Sequence, residues 1–165
     1  MTPTHTPTST ATASLPLDTP IGTVVLECDG DVLIGLRLPN DRRRSRGDRA
    51  DVPPVLKETA NQLEEYFAGE RTAFDIPMDL DGTDFQREVW AELSRIPYGT
   101  TITYGELARR VGRPSGPRAV GQANGRNPIA IIVPCHRVLA GNGIGGYGGG
   151  LPVKRALLAL EGVTA

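Results

Sequence analysis

Cysteine is scarce in this chain of 165 residues; Cys28 and Cys135 are the two that occur. Two cysteines cannot build the multi-bridge framework of a small secreted scaffold, so the expected home is a reducing cytoplasm. Aromatics are few, at 5%. No run approaches the roughly 18–20 apolar residues of a membrane helix, which excludes a spanning protein and makes a membrane partner unexpected. The first residues, MTPTHTPTSTATAS, have no basic start and no apolar core, so no secretory signal is read there. Histidine occurs twice, His5 lies in this Thr/Pro-rich stretch, and neither CxxC nor HxxxH is present. A closed zinc site needs four ligands in recognisable pairs, so no metal is expected.

What is present is an uneven charge. Residues 1–84 carry 8 Lys+Arg against 15 Asp+Glu, a net of −7, whereas residues 85–165 carry 10 against 4, a net of +6. One half suits a polyanion; the bland alternative is a surface tuned for solubility. Residues 1–14 read as a disordered tail, 15–81 as an N-terminal α/β domain and 82–165 as a C-terminal domain, the whole being α+β. In the first domain, β-branched and Leu-rich runs flank Asp29-Gly30, a pairing that favours a type I′ hairpin turn. Residues 40–51 (NDRRRSRGDRAD) have charge but no apolar anchor and read as a mobile Arg-rich loop. Leu56, Ala60, Leu63 and Phe67 recur at helical spacing before Gly69, a C′ glycine.

In the second domain, Thr83 and Gln86 form the pattern of a capping box, followed by Phe85, Val89 and Leu93 as an inner helical face. A short helix over 103–111, a breaker-rich turn and a second helix over 117–124 with proline in its first turn outline a helix-turn-helix. The second helix is slim, with Ala119, Gly121 and Ala123. Such a rod fits a narrow groove or close packing on another helix, and composition does not separate the two.

The apolar run Ile129–Val133 leads into Pro134-Cys135-His136-Arg137-Val138. A thiolate is nucleophilic, and neighbouring cations raise its fraction. From spacing alone Cys135 reads equally as a small buried hydrophobe. The glycine-rich stretch 141–150 contains a formal GxGxxG, but no βαβ unit surrounds it, so it is read as bare backbone able to approach a planar ligand. Residues 152–161 make a last helix, with Leu157, Leu158 and Leu160 apolar and Glu161 at its unfavourable C-terminal end. That position asks for a partner, and His136 is the candidate.

VPCHRV, preceded by GRNPIAIIVP and followed by YGGGLPVKRALLALEG, resembles the O6-alkylguanine-DNA alkyltransferase (methylated-DNA–protein-cysteine methyltransferase) family, as do IPYGTTITYGELA and GPRAVGQANGRNP. The similarity is strong over residues 83–163 and looser in TPIGTVVL and QLEEYFAGE. It implies a single-turnover repair enzyme without cofactor, in which Cys135 accepts an alkyl group from O6 of guanine in duplex DNA, O4-alkylthymine being a second candidate substrate. His136 would act as base through a water, oriented by Glu161. Asn127 would occupy the turn before the active segment, and Tyr104 would hold the flipped base and protonate the leaving guanine. Arg118 would fill the gap in a duplex entered by the minor groove. Ala119, Gly121, Gln122, Ala123 and Asn124 would line the DNA side of that helix. Val138, Tyr147 and Gly148 would border the base. A monomer is expected, nucleoid-associated if the source is prokaryotic, with cooperativity along DNA left open by the sequence. Some relatives carry a hydroxyl residue where Gly148 stands, and some hold zinc in the N-terminal region; here Cys28 reads as core filler. Two alternatives remain: a lesion-binding protein without transfer, disfavoured because Cys135 is present, and a cysteine hydrolase using Cys135, His136 and Glu161.

Overall fold

The computed structural model describes residues 12–41, 52–113 and 116–164. The chain divides into two compact units, residues 1–80 and 81–165.

The first unit is a three-stranded antiparallel sheet, β1 (Thr12–Thr19), β2 (Gly22–Asp29) and β3 (Val32–Arg37), in the order β1-β2-β3, covered by helix α1 (Pro54–Phe67). Strand β1 corrects the expectation of a tail through residue 14. Ala13 and Ser14 are buried and pair with Cys28 and Glu27, so ladder hydrogen bonds outweigh the Thr/Pro-rich composition. Pro16 is tolerated because β1 is an edge strand, where a missing N–H costs no ladder bond. Residues 1–11 of the expected tail, and 42–51 of the expected Arg-rich loop, lie outside the described residues.

The expected β2–β3 hairpin is present, but its turn is not type I′. Asp29 pairs with Val32, leaving Gly30-Asp31 as the loop, and of these Gly30 alone has positive φ (63°). A type I′ turn needs both; glycine in the first central place suits the II′ pattern.

Alternate residues Val24, Leu26 and Cys28 of β2 are fully buried against α1 residues Leu56, Leu63 and Tyr66. The inner face of α1 is rotated from the one expected. Val55, Leu56, Thr59, Gln62, Leu63 and Tyr66 face inward, while Ala60 and Phe67 are half-buried. Gln62 can be buried because its amide bonds both the N–H (2.9 Å) and the C=O (3.1 Å) of Asp75. Gly69 has φ 78°, as a C′ glycine should.

The second unit contains α2 (Asp84–Leu93), β4 (Ile102–Thr103), α3 (Tyr104–Arg110), α4 (Pro117–Gly125), a 3₁₀ turn (Cys135–Arg137), β5 (Val138–Leu139) and α5 (Leu151–Leu160). Thr83 and Gln86 close the capping box at the start of α2: Thr83 Oγ1 accepts from the Gln86 N–H and Gln86 Oε1 accepts from the Thr83 N–H. Val89 and Leu93 are buried as expected. Phe85 is only half-buried, with the Arg113 guanidinium 4.8 Å above its ring. Trp90 takes the inner place instead and donates its indole N–H to the Ala123 carbonyl of α4 (2.8 Å), which ties α2 to α4. Helices α3 and α4 pack on each other. The parallel pair β4–β5 joins Ile102 to Val138, which brings the start of α3 beside the end of the cysteine segment.

Candidate active site

The segment before the cysteine is folded by tight turns. The Ile132 N–H donates to the Ala130 carbonyl, Val133 to Ile129, and Cys135 to Val133. Ile131 is held at φ 73°, a costly place for a β-branched residue. Asn127 braces this bend: its amide donates to the Val133 carbonyl (2.7 Å) and accepts from the Ile129 N–H (3.0 Å). The result aims Cys135 inward with 6% of its surface exposed. Burial pushes the thiol pKa up. Hydrogen bonds from the Asn127 and Tyr147 side chains and the charge of Lys154 pull against that shift by favouring the thiolate.

His136 and Arg137 follow in a 3₁₀ turn, so the two side chains do not diverge as they would in a strand. Both reach Glu161, the C-cap residue of α5. His136 Nε2 lies 2.7 Å from Glu161 Oε2, while Arg137 donates through Nε to Oε1 (2.7 Å) and through Nη2 to Oε2 (3.0 Å). Arg137 Nη1 also donates to the Ile96 carbonyl (2.7 Å). The partner expected of Glu161 is therefore His136, and a second one, Arg137, was not foreseen from the sequence. The carboxylate accepts from Nε2–H, which fixes that tautomer and leaves Nδ1 as the basic nitrogen. Nδ1 is buried without a protein partner. Burial holds the His136 pKa below its ordinary 6.5. The Glu161 contact opposes this and the Arg137 charge adds to it, so the imidazole is neutral at pH 7. Arg137 neutralises the carboxylate that would otherwise favour an imidazolium.

Tyr104 begins α3. Its pKa is raised by burial and by the nearby Cys135 charge, and a hydrogen bond with Asn124 opposes the rise. Gly145 leaves room for its ring: a Cβ there would stand 3.3 Å from Tyr104 Cε2 and 3.0 Å from the Ala140 nitrogen.

The structure separates the residues assigned to the DNA side of α4. Arg118, Ala119 and Gln122 are exposed and Gly121 is half-buried against Tyr104. Ala123 and Asn124 are corrected: both are buried, at 3% and 5% exposure. Ala123 receives Trp90, and Asn124 donates to the Cys135 carbonyl (3.4 Å), so Asn124 belongs to the cysteine's surroundings. A groove of about 210 Å³ runs along α4, lined by Thr83, Phe85, Gln86, Ala119, Gln122 and Arg126 among others.

Val138 is fully buried, Tyr147 half-buried and Gly148 exposed. Lys154 on α5 was not singled out in the sequence. Its ammonium is fully buried and donates to the carbonyls of Val138 (2.7 Å), Ile144 (2.6 Å) and Gly146 (3.0 Å). A signal was there to be read: Lys154, Leu157, Leu158 and Glu161 stand at i, i+3, i+4 and i+7, the spacing of one buried helical stripe.

Comparison with known proteins accounts for nearly the whole chain. Residues 15–80 match the 6-O-methylguanine DNA methyltransferase ribonuclease-like domain, and residues 84–163 match the DNA binding domain of the same enzymes. A methylated-DNA–protein-cysteine methyltransferase of Mycobacterium bovis is 52% identical over 147 residues, which cover 88% of this chain and 89% of that protein. One of Methanosarcina acetivorans is 46% identical over 153 residues, covering 88% and 95%. The crystal structure of Mycobacterium tuberculosis OGT in complex with DNA superposes with a TM-score of 0.84 at 50% identity, covering 90% of this chain and 92% of that one. An O6-methylguanine DNA methyltransferase from Methanococcus jannaschii superposes at 0.67 with 30% identity, covering 92% and 95%. With its two halves matched and its α+β fold shared, this chain belongs to the 6-O-methylguanine DNA methyltransferase family and is a methylated-DNA–protein-cysteine methyltransferase.

Proposed function

We propose that this protein removes the alkyl group from O6-alkylguanine in duplex DNA and keeps it, irreversibly, on Cys135. The observation that carries the reading is the pairing of an inward cysteine with a neutral His136 whose Nε2 is locked on Glu161 and whose Nδ1 is unclaimed. Nδ1 takes the thiol proton, directly or through one water. The sulfur then attacks the alkyl carbon in line; the S–C bond forms as the C–O6 bond breaks, and the electron pair passes to the purine, which Tyr104 protonates. The product thioether has no leaving group for water to exploit, so each chain acts once.

O6 of a stacked, paired guanine gives no in-line path to the alkyl carbon, so the base must leave the duplex. That costs a few kcal/mol, less for a lesion that pairs badly. Arg118, exposed near the start of α4, fills the vacated place and offsets part of that cost. The exposed Ala119 and half-buried Gly121 let α4 enter the narrow minor groove, about 6 Å wide. The same attack at O4-alkylthymine follows if the smaller ring reaches the sulfur.

The test is intact-mass measurement after incubation with duplex DNA containing O6-methylguanine. One CH2 increment per chain, mapped to Cys135 and missing in Cys135→Ala, is expected. Folded protein without an increment ends this reading. Repeated turnover of a small ester would instead favour a hydrolase.

A further inference from the structure

We propose that Lys154 is a positioning residue for alkyl transfer: its buried ammonium knots the glycine-rich loop 141–150 to Val138 and sets the main-chain border of the base site. The inference rests on the reading of Cys135 as alkyl acceptor. Lys154 stands on the inner stripe of α5, where a lysine is out of place unless every N–H is used. An ammonium has three, and three carbonyls receive them, one on β5 and two on the loop. In loop 141–150 the N–H of Gly143 donates to the Ala140 carbonyl and the N–H of Gly150 to that of Tyr147. Seven of its ten residues are glycine, which gives the loop high conformational entropy when it is not tied. Tyr147 rides on this loop directly after Gly146, one of the tied carbonyls.

Charge supplies a second argument. Among the described residues Lys154 makes no ion pair with a carboxylate, and the group that favours its protonated form is Cys135 as thiolate, while burial brings its pKa down to about 8. A cation buried without a carboxylate favours an anion nearby, so Lys154 and the ionised sulfur support each other. The ammonium therefore fixes the loop and raises the fraction of sulfur that is nucleophilic.

The test compares the full-length wild type with Lys154→Met and Lys154→Arg, using three measurements. These are single-turnover transfer from O6-methylguanine duplex, hydrogen exchange of loop 141–150, and the pH dependence of Cys135 alkylation by iodoacetamide. In Lys154→Met we expect loop exchange and transfer each to change by about tenfold or more, faster and slower respectively, since hydrogen bonds from a charged donor are lost. The Cys135 titration should move to higher pH, a shift that a purely structural role would not produce. Affinity for undamaged duplex should stay within about threefold, because Lys154 is buried away from solvent. Unchanged loop exchange with an unchanged Cys135 titration overturns the proposal. If Lys154→Met does not fold, Lys154→Arg decides. It keeps the charge, but a planar fork does not meet three convergent carbonyls, so the loop should exchange faster while the Cys135 titration stays near wild type. A loop as protected as in the wild type overturns the proposal there too. Should the wild type itself transfer no methyl, the acceptor reading fails, and the knot is judged on loop exchange alone.

Discussion

Glu161 holds two partners with one carboxylate, and that sharing adds to the burial that keeps His136 neutral. Arg137 forms a bidentate pair with it, the stronger geometry for a guanidinium, and is itself buried. Replacing Arg137 by Met removes a charge that helps burial keep His136 neutral, while leaving Glu161 in place. The His136 pKa should then rise, and the acid limb of the transfer rate should move to higher pH, because less neutral imidazole is present at a given pH. Losing one partner of a buried pair should also cost about 3–5 kcal/mol of stability. A pH–rate profile and a urea melt check both; an acid limb that stays put would deny Arg137 this role. Stability carries its own pH signature. His136 has a depressed pKa when folded and an ordinary 6.5 when unfolded. As pH falls below about 6.5 the unfolded chain takes up the proton first. The stabilising contribution is therefore complete above that pH and drains away below it. Unfolding measured from pH 7 to 5.5 should show proton uptake that His136→Gln abolishes. At this scale the sequence displayed Cys135, His136 and Glu161, since one stood in a specific motif and another at an unfavourable helix end. It concealed Arg137 and Lys154, because a basic side chain next to a motif, or within a helix, reads as solvated until its partners are seen.

Helices were the legible elements. Each of the five among the described residues falls close to where periodicity and caps place it, because capping and stripe spacing are local properties. Strands β1, β4 and β5 were not legible. Strand β1 has a Thr/Pro-rich start and is made a strand by its partner, and two-residue strands such as β4 and β5 offer no period to read. The inner face of α1 was misjudged by one position because Gln62 and Thr59 occupy core places that polarity alone assigns to solvent. Two predictions belong to elements. Thr83→Ala removes the capping box of α2, whose Thr83 side chain is exposed, and should cost about 1 kcal/mol in thermal or urea unfolding. Its transfer rate below the melting range should be unaltered. Arg118→Ala empties the exposed N-terminal turn of α4. It should slow repair of O6-methylguanine in duplex by an order of magnitude or more, about 1.4 kcal/mol at the transition state, while leaving reaction with free O6-benzylguanine within about twofold. Equal losses on the two substrates would remove Arg118 from any role in base extrusion.

Across the whole molecule, charge is divided as the fold is. Residues 81–165 carry 10 Lys+Arg and 6 Asp+Glu, and residues 1–80 carry 8 and 13. The structure refines what that balance can do. Lys154 and Arg137 are buried and spend their charge internally, and Arg109 is bound by Glu106, as is Arg110. The cations left near the exposed side of α4 are Arg113, Arg118 and Arg126, far fewer than the residue count suggests. Each phosphate neutralised by a protein cation releases condensed counterions, so the logarithm of affinity falls against the logarithm of salt with a slope of about −0.9 per contact on duplex DNA. Three contacts predict a slope near −3 for this protein on undamaged duplex, against about −9 if every cation of the second unit took part. Binding isotherms from low to physiological salt distinguish these values. Arg126→Ala should flatten the slope by about one contact and weaken all sequences alike, because a phosphate contact carries no base information. A slope unchanged by that substitution would place the DNA on another face, and the direction of approach inferred for α4 would have to be abandoned along with it.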